Sequence, residues 1–184
     1  MQYSGKKILA RMKNNFKLSN TQLKFQKNFL NSFLLSFYFF KNVPMLWLSG
    51  IKLLELSQKH AVTQIPFKWY YRWQNMNPFK SIYFAVQCMA AELSTASIAS
   101  LAIKGSRPSI ALIVISMSSK YFKKAVGNTT FTCEDGDKIF KVVEEAIKTG
   151  NGVTVEAKSV GRLDDGTKVS EFYFTWSFKQ RKSK

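Results

Sequence analysis

Cysteine and histidine are almost absent from the 184 residues. There are two cysteines, Cys88 and Cys133, and one histidine, His60. No CxxC pair and no Cys/His cluster exists, which excludes a structural zinc site and a disulfide scaffold. Reduced thiols point to a cytoplasmic protein. One histidine, in a polar run beside Lys59 with no orienting carboxylate near it in sequence, argues against a Ser-His-Asp or Cys-His triad. Nine glycines and four prolines exclude collagen-like and low-complexity classes. Acidic residues are scarce at one end. Residues 1–80 hold 13 Lys or Arg and a single carboxylate, Glu55, whereas residues 81–184 hold 15 basic and 10 acidic side chains.

What is present is apolar and aromatic: 46% hydrophobic residues, with 16 Phe, 7 Tyr and 4 Trp. That content is enough for a globular core. The net charge of +17 would attract phosphate-bearing partners: nucleic acid, anionic lipid or a nucleotide-tailed metabolite. WYYRW (69–73) has a composition that suits base stacking, but its partial alternation places part of it in the core, and no nucleic acid is expected as a partner.

The chain divides near residue 42. The stretch FQKNFLNSFLLSFYFFK (25–41) has an uncharged run of only 13 residues, Asn28 to Phe40, against the about 20 needed for a membrane span. No small-residue cleavage site follows it, so a signal peptide is not expected, and Met12 offers an alternative start. The 3–4 spacing of Phe29, Phe33, Phe37 and Phe40 predicts an amphipathic helix. It would pack on its own domain or lie on a membrane surface. Residues 1–42 are therefore read as a basic helical extension, and residues 43–184 as one domain.

Within that domain the pattern predicts extended segments at Gly50–Leu56 and Ala61–Trp73. NMNP (75–78) reads as a turn. Ser81–Ile103 is alanine-rich, has no Gly or Pro, and is apolar on nearly all sides, which predicts a buried helix. Strands are expected at 110–121 and 126–134. A short amphipathic helix is expected at 135–152, capped by Gly150, followed by a hairpin around Asp164-Asp165-Gly166-Thr167. Phe172, Phe174, Trp176 and Phe178 alternate on one strand face. The order is helix, two strands, long helix, two strands, short helix, two strands. An α+β fold in which an antiparallel sheet wraps the long helix buries that helix most simply; this is the hotdog arrangement.

Asn77, Tyr83-Phe84-Ala85 and Glu92 carry a resemblance. Their spacing is similar to that of the PaaI-like hotdog thioesterases, which show an Asn, a His-Gly-Gly six positions later, and an acidic residue seven after the second glycine. The stretch from about Pro44 to Phe178 resembles the uncharacterised hotdog families related to the C-terminal domain of YiiD. Tyr83-Phe84-Ala85 stands where that family has His-Gly-Gly. The resemblance implies hydrolysis of an acyl-CoA or acyl-carrier thioester with a hydrophobic acyl chain. Glu92 would be the general base or nucleophile, the amides near Phe84 and Ala85 the oxyanion donors, and Asn77 an orienting group. It also implies a site completed across a homodimer, or a dimer of dimers, and no cofactor beyond coenzyme A as part of the substrate. Tyr83, Gln87 and Thr95 are candidate substrate contacts. Lys120, Lys123 and Lys124, interleaved with Tyr121 and Phe122, would meet the phosphates of coenzyme A, or serve simply to keep an edge strand soluble. No metal ligand is assigned. With Phe and Ala in place of two glycines, the alternative is a hotdog protein that binds an acyl chain or lipid without turnover.

The residues alone also single out Glu92. It is the only charge between Ser81 and Ile103, and a lone buried carboxylate needs partners or a raised pKa. Asn77 could equally cap the turn before the helix. Cys88, one turn earlier among apolar neighbours, reads as an inert thiol.

Overall fold

The computed structural model describes residues 17–67 and 73–181. Three short helices come first: α1 (Asn20–Leu30), α2 (Ser32–Asn42) and α3 (Pro44–Ser49). A hairpin of β1 (Lys52–Leu56) and β2 (Ala61–Ile65) follows. Then come the long helix α4 (Phe84–Ile103), β3 (Ile110–Tyr121), β4 (Thr129–Cys133), α5 (Gly136–Thr149), β5 (Val153–Leu163) and β6 (Lys168–Gln180). All six strands form one antiparallel sheet in the order β1-β2-β4-β5-β6-β3.

The sheet curves around α4, which packs against β1, β2, β4, β5 and β6. This is the hotdog fold expected from the element order. Phe131, Phe172 and Phe178 are fully buried between sheet and helix, and Phe174 and Trp176 nearly so. The polar side chains of α4 that face the sheet all find partners, as burial demands. Trp176 Nε1 donates to Thr95 Oγ1 at 3.1 Å, Ser170 Oγ donates to Gln87 Oε1 at 2.8 Å, and Ser94 and Ser159 share a 2.8 Å hydroxyl bond. Thr63 on β2 donates to the carbonyl of Ala90 at 2.8 Å.

Several boundaries differ from the sequence expectation, each for a local reason. The single helix expected over 25–41 is two. Asn31 breaks it, and its Oδ1 accepts from the amides of Phe33 and Leu34, both at 3.1 Å, so that it caps α2. Gly50 is not strand but the left-handed cap of α3, at φ 65°. β2 stops at Ile65 because Pro66 has no amide to donate. The expected strand does not include Trp73, since residues 73–75 form a helical turn; 68–72, with most of WYYRW, lie outside the described residues. α4 begins at Phe84 rather than Ser81, since Tyr83 is extended (φ −60°, ψ 138°) and Ile82 bridges Met76. The extension packs on the domain, one of the two placements expected for it. Leu35 and Phe39 of α2 are buried in the same cluster as the sheet's inner face.

One ion network lies on the outer face of the sheet. Glu171 is buried and accepts from Lys168 Nζ at 2.5 Å, Lys158 Nζ at 3.0 Å and Tyr173 Oη at 3.0 Å. The bonds to Lys168 and Lys158 hold its carboxyl well below the usual range, at about 2. A depressed carboxylate pKa contributes stability that is fully present above the ordinary value and is lost as pH falls through the folded one. Glu171→Gln is expected to lower stability at pH 7 by about 1–3 kcal/mol. Urea titrations at pH 7 and near pH 2 check this, and the wild-type advantage should vanish at the lower pH.

Candidate functional site

α4 begins with free donors. Tyr83 offers no side-chain cap, and the first helical amides, those of Phe84 and Ala85, have no preceding turn to bond. The helix dipole adds positive potential there. The loop before it is held by Asn77. Its Oδ1 accepts from the amides of Phe79 (3.0 Å) and Ser81 (3.2 Å), and its Nδ2 donates to Ser81 Oγ (3.1 Å). Tyr83 N donates to the carbonyl of Asn75 at 2.8 Å, and Ile82 N to that of Ala125 at 2.9 Å. The second contact brings the segment after β3 against the helix start. Lys124 consequently lies over the Phe79 ring at 6.0 Å. Tyr83 and Phe84 are half-exposed and meet edge-on with ring centroids 4.6 Å apart.

Glu92 stands two turns further along, on the face of α4 that the sheet leaves open. Here α1–α3 cover the helix, and together they enclose a cavity of about 280 Å³. Its wall is mainly apolar: Phe29, Tyr38, Phe39, Val43, Met45 and Leu46 from the extension, and Met89, Leu93 and Ala96 from α4. Glu92 reaches solvent at the mouth of this cavity, and its apolar surroundings push the carboxyl pKa above the ordinary 4.5. The Cys88 thiol, one turn back, is also raised, first by burial and then by the charge of Glu92, which fits the reading of an inert thiol. Phe39 and Leu46 form a shared wall with a larger open groove of about 770 Å³, bounded on its far side by Ile51 and Leu53.

The structure therefore groups Asn77, Tyr83, Phe84, Ala85 and Lys124 at the helix start, and sets Glu92 apart on the same helix. Seven residues at 1.5 Å each separate Ala85 from Glu92 by about 10 Å. Gln87 and Thr95 have both side chains engaged internally: Gln87 with Ile82 and Ser170, and Thr95 with Trp176 and the backbone carbonyl of Glu92, so neither is bonded to the Glu92 carboxylate. Lys120 lies opposite Glu171 in the β3–β6 register, and Lys123 donates its amide to the carbonyl of Val169, so these two sit along the β3 end. The aromatic lining from α1 and α2 was not among the sequence candidates. The phenylalanine periodicity that gave the helices gave no sign of which helix they would cover.

His60 corrects the sequence reading, because it does have a carboxylate partner. The β1–β2 hairpin folds back so that His60 Nε2 lies 2.8 Å from Glu55 Oε2, and Nδ1 lies 3.2 Å from Ser57 Oγ. The three residues do not form a hydrolytic triad. Ser57 Oγ donates to the carbonyl of His60 at 3.0 Å and accepts the amides of Lys59 and His60, so its role is to close the turn.

No protein-family model matches the chain, and no curated protein matches it. Solved structures do, with the hotdog fold in common. A Pseudomonas aeruginosa protein of unknown function described as a probable thioesterase aligns over 80% of this chain and 95% of its own, at 17% identity and TM-score 0.66. A thioesterase from Haemophilus influenzae aligns over 79% and 88%, at 12% identity and TM-score 0.56. A variant of a further Pseudomonas aeruginosa thioesterase aligns over 80% and 93%, at 14% identity and TM-score 0.59. These likenesses establish the fold.

Proposed function

We propose that the protein is a thioesterase for a hydrophobic acyl chain carried on coenzyme A or an acyl carrier, with its site completed by a second copy of the chain. One observation carries this reading: a lone, partly desolvated carboxylate, Glu92, at the mouth of an apolar cavity, on the helix whose first amides are free. Thioester hydrolysis needs such a base and such donors. The two lie about 10 Å apart on a common helix and cannot grip one carbonyl group. Glu92 of one subunit would face the helix start of the other.

The sheet has an edge for that pairing. Among the described residues β3 is hydrogen-bonded on one side only, to β6, and it exposes Ile113, Ile115 and Met117. A long apolar edge of this kind is a template for another chain. Met117 pairs with Phe174, on the helix-facing side of the sheet, yet it is half-exposed. In the reaction, Glu92 takes a proton from water as the water oxygen bonds to the thioester carbon. The oxyanion is held by the amides of the opposing Phe84 and Ala85. Collapse breaks the C–S bond, and the thiolate leaves with the proton from Glu92. Lys124 beside the helix start, with Lys123 before it at the β3 end, suits the phosphates of a carrier, and Phe79 suits a ring.

A thiol-release assay over acyl-CoAs from short aliphatic to long-chain and aromatic tests this. Hydrolysis by wild type that is lost in Glu92→Gln supports it. Equal rates in the two remove Glu92 from the site. No hydrolysis across the panel, with acyl ligand retained in the cavity, would replace the enzyme with a binding protein. Sedimentation velocity checks the assembly: wild type is expected to run as a dimer or larger, and Ile113→Lys with Met117→Lys as a monomer.

A further inference from the structure

The second helix is apolar on both sides, and among the described residues only one side has a partner. Leu35 and Phe39 point into the core, at 5% and 3% exposure. On the opposite side Phe33, Phe37 and Phe40 form an i, i+4, i+7 stripe, exposed by 79%, 63% and 57%. The Phe40 ring meets Trp47 of α3 at 5.1 Å, which carries the apolar surface on to Met45 and Leu48, both exposed. Isolated exposed apolar residues are ordinary, whereas a contiguous aromatic patch marks a binding surface. The three helices themselves carry charge of one sign. Lys24 and Lys27 of α1 and Lys41 of α2 are exposed, as is Lys52 just after α3, and α1–α3 hold no Asp or Glu; the carboxylate of Glu92 lies on the α4 side, at the mouth of the cavity that Met45 lines.

From this juxtaposition we propose that α2 and α3 dock the protein on the surface of an anionic lipid bilayer. The Phe33–Phe37–Phe40 stripe and Trp47 would enter the interface, with the lysines among the headgroups. Phenylalanine and tryptophan on one face and lysine beside it are the composition of an in-plane membrane helix. At 11 residues α2 is about 16 Å long, roughly half the hydrocarbon thickness, so it lies on the bilayer rather than crossing it. A second copy fits this patch less well. A two-fold interface sets the same surface against itself, and here that would bring together two sets of helices that carry lysines and no carboxylate of their own. The same helix walls the Glu92 cavity with Tyr38 and Phe39, so docking would leave the cavity next to the lipid. The inference does not depend on hydrolysis.

The test is co-sedimentation of the full chain with phosphatidylcholine vesicles, with and without phosphatidylserine. Wild type is expected to pellet with the anionic vesicles and to be released by salt. Phe33→Ser/Phe37→Ser/Phe40→Ser, all at exposed positions, should lower the partition at least tenfold. Lys24→Gln/Lys27→Gln/Lys41→Gln, which leaves the apolar patch intact, should lower it about a hundredfold. Thermal melts matching wild type exclude unfolding as the cause. Partition unchanged in both variants overturns the proposal. So does no binding to either vesicle together with a Phe-variant that sediments as a smaller species, which would assign the patch to a second copy of the chain. Loss of vesicle binding with the thiol-release rate on soluble acyl-CoA unchanged separates this surface from the catalytic one.

Discussion

Assayed from acid to neutral pH, kcat/KM is expected to fall on an acid limb whose midpoint lies above the ordinary glutamate value of 4.5. The working form of Glu92 is the carboxylate, and the apolar wall built by Phe29, Phe39, Val43 and Leu46 disfavours that form. Activity is therefore lost as pH falls through a raised pKa, earlier than for a solvated glutamate. Glu92→Gln keeps the shape and removes the base. The rate should drop by about 10²–10⁴, the usual contribution of a positioned general base. Stability should not follow it. A carboxyl whose folded pKa is raised binds its proton more tightly in the native state, so it favours folding at low pH, and that gain is lost as pH rises through the folded pKa. At pH 7 the wild type carries a desolvated charge, and Glu92→Gln should melt no lower than wild type. A variant both inactive and markedly less stable would mean that Glu92 holds structure instead of doing chemistry. An acid limb at or below 4.5 would mean that the cavity does not desolvate the reacting group.

The largest structural effect is expected at Gly136, the first residue of α5. Its amide donates to the carbonyl of Lys59 at 3.0 Å, which brings the helix start against the β1–β2 hairpin. A Cβ there would stand 1.9 Å from the carbonyl oxygen of Gln58 and 2.6 Å from that of Lys59. Both obstacles are backbone, so no side chain can rotate away to make room. Gly136→Ala must push the hairpin tip off α5, and this disturbs the turn that Ser57 and His60 close. A loss of about 3 kcal/mol or more is expected, at the upper end of overpacking costs. The urea midpoint measures it. Gly166→Ala is the control. Its φ of 83° makes alanine strained, but nothing lies within 4 Å of the added carbon, so the cost should be clearly smaller. Equal losses at the two positions would show that the backbone yields around Gly136.

The order of elements was legible because the chain changes its period in plain steps. The apolar, alanine-rich stretch before Ile103 can be nothing but a buried helix, and FYFTWSF alternates cleanly enough to assign its inner face. Local punctuation was less legible. Asn31 looked like one polar residue in a helix, and only its cap geometry shows that it ends one helix and starts another. Glu92 was visible as the single charge in a long apolar run. Its environment was not, because it depends on α1 and α2 folding across α4 from more than fifty residues away. Gln87 was close to Glu92 in sequence but lies about 140° around the helix from it, at 100° per residue, and turns to Ser170; Thr95 is only about 60° away, yet its hydroxyl is taken by Trp176 and by the backbone carbonyl of Glu92. His60 was misjudged because its carboxylate partner comes from the opposite strand of a hairpin, where pairing and not sequence proximity sets the distance.

The position of β6 governs how the chain can be made. It lies between β5 and β3, and it is the last of the sheet's six described strands in chain order. Until it leaves the ribosome, β3 has no hydrogen-bonded neighbour, and Phe131 lacks the ring of Phe172 that closes over it at 5.8 Å. Throughout that interval α4, the one described helix long and apolar enough to cross a membrane, has only part of its wrapping. The nascent protein thus carries its most insoluble segment half-covered until the final strand arrives. A chain cut short before Lys168 would expose both a membrane-like helix and an unpaired β3, which makes premature termination a direct route to aggregation.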